Sequence, residues 1–300
     1  MKRRWSKVRN RVAWSLVVAW LGMAACAGPG VKPSEEYQQA TAEQLVALVR
    51  MRAEATQSAK GLFRAQIKGP GLLLPARVEG AVYYSRPDAM RVRGFTPFGG
   101  ELFELVVSRN LYRLSIPAEG RELKGHTARL GEAGKLGRPV QLSLWAVHGA
   151  LGLTTVPADA HVLLHEEGDR YRLDVQSPGQ AAGAIGSADL NGSTGADHQV
   201  GTDDANSNSR RLWFDRRTLL MVQEDRLSAS GEVEAVMRFE DYRPVGDQVI
   251  QPVGSPGSAS RLLRPFKITL EDGHGRGSVR LTFHEIVPNV ILQPDELGVI

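Results

Sequence analysis

The chain reads as a mostly β (α+β) protein, an antiparallel series of about ten strands with two main helices in one domain. Three observations predict this. Residues 89–117 carry three successive runs of alternating apolar and polar side chains, turn-forming residues punctuate the chain at short intervals, and only two stretches show apolar residues at helical spacing. In the first region Met90 and Val92 alternate with Arg91 and Arg93. Phe103, Leu105 and Val107 then alternate with Glu104 and Ser108, and Tyr112, Leu114 and Ile116 with Arg113 and Ser115. Period two gives a sheet one dry face and one wet face. The loop Phe95-Thr96-Pro97-Phe98-Gly99-Gly100 separates the first two runs. Proline and paired glycines explain the turn. They do not explain its rings: either Phe95 and Phe98 fold back onto the core, or a ring is held out toward something apolar.

The N-terminal end has a different character. Residues 1–11 are cationic, and residues 12–25 are apolar and uncharged. That run suits the core of a signal peptide and falls short of the ~20 residues a membrane-spanning helix needs. Cys26 follows as the sole cysteine, which excludes an internal disulfide. The organisation expected is a signal peptide over 1–25, a tether over 26–40 and one domain over 41–297. The formal charge of +4 resides in the leader: without its six cations, 31 basic side chains face 33 acidic ones, a charge of −2. Net charge therefore gives no support for nucleic-acid binding.

The elements follow in order. Thr41 with Gln44 has capping-box form, and Leu45, Leu48, Val49 and Ala53 trace one helical face. Phe63, Ala65 and Ile67, then Gly80, Val82 and Tyr84, mark strands joined by a turn that carries Leu72, Leu73 and Leu74. Gly137-Arg138-Pro139 opens a second helix, with Val140, Leu144, Val147 and Leu151 on one side and Leu142 and Trp145 widening it. Residues 160–177 form a hairpin around Glu167-Gly168-Asp169. Residues 178–209 are too poor in large apolar side chains to offset their ordering entropy and are expected as a disordered insertion. Strand patterns resume over 212–214, 219–227, 233–239, 262–270 and 279–286, giving about ten strands and two main helices.

Residue patterns for common chemistry are missing. The sequence contains no G-x-S-x-G, no P-loop, no H-E-x-x-H and no C-x-x-C. His161 and His165 have a zinc-like spacing but lie in a strand-like run without an evident third ligand. Arg210-Arg211 and Arg216-Arg217 suit solvated strand ends or lipid phosphates. No cofactor, no metal and no catalytic residue is assigned.

Two resemblances carry the functional reading. Leu21-Gly22-Met23-Ala24-Ala25-Cys26 resembles a bacterial lipobox, which implies that Cys26 is lipidated and that the protein sits in membrane lipid by its acyl anchor. Ala27 after it implies sorting to the periplasmic face of the outer membrane. Pro97-Phe98-Gly99 with residues 101–107, together with Phe239-Glu240-Asp241-Tyr242 and residues 286–294, resembles the LolA/LolB superfamily of lipoprotein carriers and receptors. That resemblance implies a single curved antiparallel sheet, an incomplete β-barrel or half-barrel closed by helices, whose concave face holds acyl chains such as palmitate, with Pro97, Phe98 and Leu72, Leu73, Leu74 as a membrane-contacting tip. The candidate liners are Phe63, Ile67, Val82, Met90, Val92, Phe103, Leu105, Leu114, Trp145, Phe266, Ile268, Leu281 and Phe283. The expected activity is non-covalent binding of acyl chains or lipidated cargo by a monomer. A scaffold that binds a protein partner, its cavity filled by its own helix, is the alternative.

Overall fold

The structure, a computed structural model, describes residues 37–69, 75–133, 137–176, 209–250, 260–275 and 277–298. The predicted signal peptide, Cys26, Leu72, Leu73, Leu74 and residues 178–208 of the expected insertion lie outside the described residues. Gln38–Ile300 forms one compact unit.

Helix α1, Ala42–Glu54, begins where the sequence predicts. The Gln44 N–H donates to Thr41 Oγ1 at 3.3 Å, and the Thr41 N–H donates to Gln44 Oε1 at 2.9 Å. Leu45, Leu48, Val49 and Ala53 form its buried stripe. Its C-terminal carbonyls, the negative end of the helix dipole, are met by guanidinium groups. Arg86 Nη2 donates to Ala53 O at 2.8 Å, and Arg264 Nη2 donates to Arg52 O at 2.5 Å and to Thr56 Oγ1 at 2.6 Å. Arg264 is only 2% exposed, and burial followed by the nearby Arg52 charge lowers its pKa to about 10. Gly152 permits this: its φ of +68° suits glycine, and a Cβ there would lie 2.5 Å from Arg264 Nη1.

Among the described residues thirteen strands make one antiparallel sheet that does not close. The first six are β1 Ser58–Lys68, β2 Ala76–Ser85, β3 Ala89–Phe95, β4 Glu101–Ser108, β5 Leu111–Ile116 and β6 Arg121–His126. The second set is β7 His161–Glu167, β8 Arg170–Gln176, β9 Arg210–Asp215, β10 Met221–Leu227, β11 Val233–Ile250, β12 Ser260–Asp272 and β13 Ser278–Pro288. The spatial order is β6-β5-β4-β3-β2-β1-β13-β12-β11-β10-β9-β8-β7. Two meanders therefore run outward from a central β1·β13 pair, and β6 and β7 are the free edges.

This topology explains the second helix. The chain must pass from one edge to the other between β6 and β7, and helix α2, Gly137–Ala150, lies in that crossing. Its Val140, Leu142, Leu144, Ala146, Val147 and Ala150 are buried, and it packs on β11, β12 and β13. A short helix α3, Pro294–Leu297, closes the described chain against β2 and β3.

The expectation of about ten strands falls short, and β6 is the strand the sequence pattern did not indicate. Its residues, Arg-Glu-Leu-Lys-Gly-His, offer one large apolar side chain and no alternation. Charge on an edge strand discourages pairing with other chains, which is the same property that hides it from a hydrophobicity reading.

Candidate functional site

The hairpin between β3 and β4 is built to hold a ring in the open. The Thr96 N–H donates to Gly100 O at 2.7 Å, the Gly99 N–H to Thr96 O at 2.9 Å, and the Gly100 N–H to Thr96 Oγ1 at 3.1 Å. Gly99 takes φ +89°, which a side-chain-bearing residue would adopt only with strain. Phe98 is 99% exposed, and Pro97 is exposed beside it. Phe95 behaves differently: it is half-buried, with the Arg93 guanidinium 5.0 Å from its ring centroid. The two alternatives for the loop thus divide between its two phenylalanines.

The predicted liners are brought together, as core. Phe63, Val82, Met90, Val92, Leu105, Leu114, Phe266, Ile268, Leu281 and Phe283 are buried in one continuous cluster. Ile67, Phe103 and Trp145 are half-buried and pack against it. Phe63 stacks on Phe283 with centroids 5.5 Å apart, and it lies over Gly80, where a Cβ would sit 2.2 Å from the ring. Helix α2 packs over the part of this face that β11, β12 and β13 form.

The open space lies beside α2. One cleft of about 480 Å³ lies between its first turn, the end of β1 at Lys68 and Gly69, and a 3₁₀ segment, Thr127–Glu132. A second, of about 340 Å³, runs along Trp145, His148, Thr154, Arg210 and Arg226. Gln141 and Glu234 line both.

The lining of this second cleft is charged. Trp145 lies near two guanidinium groups, Arg138 at 5.2 Å and Arg226 at 4.5 Å from its ring. Arg138 also donates to Asp272 Oδ1 through Nε at 3.0 Å, and to Glu234 Oε1 through Nη1 at 2.9 Å. Glu224, with no exposed surface, accepts from Thr154 Oγ1 at 2.9 Å. Arg226 Nε stands 3.2 Å and Arg210 Nη1 3.9 Å from Glu224 Oε1. Burial alone would raise the Glu224 carboxyl, but Arg226 and Arg210 outweigh it and hold it below the usual range. Burial, reinforced by the same two arginines, pushes His148 down to about 4, so it is neutral near pH 7.

The sequence reading missed this network. Its one signal is Glu224 and Arg226 at spacing two, both on the face of β10 that a hydrophobic pattern would reserve for apolar side chains. Arg210 and Arg216 also depart from the solvated-end reading. Arg210 turns in toward Glu224, while Arg216 pairs with Glu166 at 3.0 Å and stands 4.9 Å from the Tyr171 ring. His165 meets Asp174 at 3.4 Å, and among the described residues no group of three or more His, Cys, Asp or Glu is placed to hold a metal ion.

No protein-family model matches the chain, and no curated protein matches its sequence. Its fold is similar to two solved structures. One is described as an outer membrane lipoprotein-sorting protein domain from Vibrio parahaemolyticus, with TM-score 0.53 and 9% identity, covering 86% of this chain and 97% of that one. The other is a DUF1329 family protein from Desulfovibrio piger, with TM-score 0.53 and 9% identity, covering 86% and 95%. A LolA superfamily protein from Nitrosomonas europaea aligns over 87% of this chain and 99% of that one at 11% identity and TM-score 0.49. This chain shares the fold of the Vibrio and Desulfovibrio proteins, here an open antiparallel sheet with helix α2, which lies in the connection between its two edges, packed on β11, β12 and β13.

Proposed function

We propose that this chain is a non-catalytic binding protein that receives acyl chains or lipidated cargo on the concave face of its sheet, in place of α2. The observation that supports this best is the setting of α2. It is a connection and not a strand-paired element, it covers apolar surface on β11, β12 and β13, and clefts of about 480 and 340 Å³ flank it. Displacing it would offer the apolar trough around Ile268, Leu281 and Phe283 to hydrocarbon. Burying ~300 Å² of acyl chain there yields ~7 kcal/mol before the costs of binding and of moving the helix. In this reading Cys26 carries the lipid anchor, the protein works at the periplasmic face of the outer membrane, and Phe98 touches the bilayer during transfer.

The test uses the full chain with Cys26→Ser, which carries no acyl group of its own. Mass spectrometry should find lipid retained through gentle purification, and a fluorescent fatty-acyl probe should bind saturably and be displaced by palmitate. A chain that purifies empty and takes up no probe refutes cargo binding. The burial of ten predicted liners favours a second reading, a scaffold that binds a protein partner with its interior permanently self-filled. That reading predicts the empty outcome.

A further inference from the structure

The exposed face of the sheet, opposite its buried cluster, carries a cationic surplus at the same end as Phe98. Pairing fixes the geometry: Gln66 lies opposite Arg77 on β2 and opposite Arg280 on β13, so the two arginines flank one glutamine across three adjacent strands. Both are exposed, as is Lys68 two residues beyond Gln66. Neighbouring acids are already matched, Glu79 with Arg64 at 2.7 Å, Glu101 with Arg93 at 2.9 Å and Glu271 with Arg238 at 2.9 Å. Among the described residues no ion pair joins Arg77, Arg280 or Lys68 to an acid. A shallow hollow of about 350 Å³ lies among Arg64, Gln66, Arg77, Arg280 and Thr282.

The register also sets the height of this patch. Glu79 pairs with Phe95, so Arg77 stands two residues, roughly 7 Å, farther along the sheet, about level with Pro97 and Phe98. A ring that enters the interfacial layer of a bilayer would bring Arg77 and Arg280 to the depth of the phosphates.

We infer that Arg77 and Arg280 form a headgroup-binding surface for anionic phospholipid, which orients the hairpin end of the sheet on the membrane. The inference rests on the reading of Phe98 as a membrane-facing tip. Charge complementarity selects the partner, since a cationic row with its local acids neutralised gains from an anionic surface and nothing comparable from a zwitterionic one.

The experiment measures binding of the full chain with Cys26→Ser to vesicles of phosphatidylcholine alone and of phosphatidylcholine mixed with phosphatidylglycerol. The chain should prefer the anionic vesicles, and added salt should weaken the preference. Arg77→Gln with Arg280→Gln should reduce binding to anionic vesicles by about fivefold per arginine and leave binding to phosphatidylcholine unchanged. Equal binding to both vesicle types, or a preference that survives the double substitution, overturns the inference. So does abolition of the preference by inorganic phosphate at constant ionic strength, which would mark a site for soluble anions. Phe98→Ser is the separate arm: it should weaken binding to both vesicle types, and no effect on either would refute the tip while leaving the charge comparison interpretable.

Discussion

His148 gives the sharpest handle on the charged cleft beside α2. The side chain is held neutral by burial and by Arg226 and Arg210, with its pKa pushed down from 6.5 to about 4. The unfolded chain takes up a proton near pH 6.5 and the folded chain does not, so this group removes stability as pH falls from 6.5 toward 4. The full difference corresponds to about 3 kcal/mol. His148 is half-buried and lines the cleft, so screening leaves about 1.5 to 3 kcal/mol for the measurable effect. Urea unfolding of wild type and His148→Gln at pH 7.5 and 4.5 reads it directly. Wild type should lose about 1.5 to 3 kcal/mol more than the variant over that interval. Parallel losses in the two proteins would refute the argument that these arginines and burial hold His148 neutral.

Removing the carboxylate should cost more. Glu224→Ala leaves the buried Arg226 and the half-buried Arg210 without this acid and is expected to destabilise the fold by about 3 to 5 kcal/mol, measured by the shift in urea midpoint at constant slope. Gly149→Val addresses α2 itself, because a Cβ there would stand 2.6 Å from Phe239 Cε1 and 2.9 Å from Met237 Sδ. The helix cannot seat as before, so stability should fall by about 1 to 3 kcal/mol. Fatty-acyl probe uptake should rise if the helix competes with cargo; loss of stability without a rise in uptake argues for the self-filled scaffold.

Much of the sheet was legible because alternation is a local property. Met90, Val92, Leu105, Leu114 and Ile116 fall on the buried face their parity predicts, and Thr41 with Gln44 gives the cap of α1. Gly137-Arg138-Pro139 likewise marks the start of α2. The edge strand β6 was invisible, since an edge with exposed charge carries no apolar period. The charged cleft was invisible for another reason. Thr154 and Glu224 meet across 70 positions, and the Trp145 contact with Arg226 joins a helix to a strand on the far side of the crossing.

The sequence alone determined which face of β1 to β5 and of β13 would be dry, where the two main helices begin, and that the loop after β3 would carry rings on a glycine-bearing turn. Each follows from the chemistry of a few consecutive residues. Only the tertiary structure decided that Phe98 stands free while Phe95 lies beside Arg93, and that α2 packs on β11, β12 and β13. It also placed Arg77, Arg280 and Phe98 at one height. Those outcomes depend on strand register and on the crossing from β6 to β7, and a pattern of single-strand parity is the same whatever lies across the sheet.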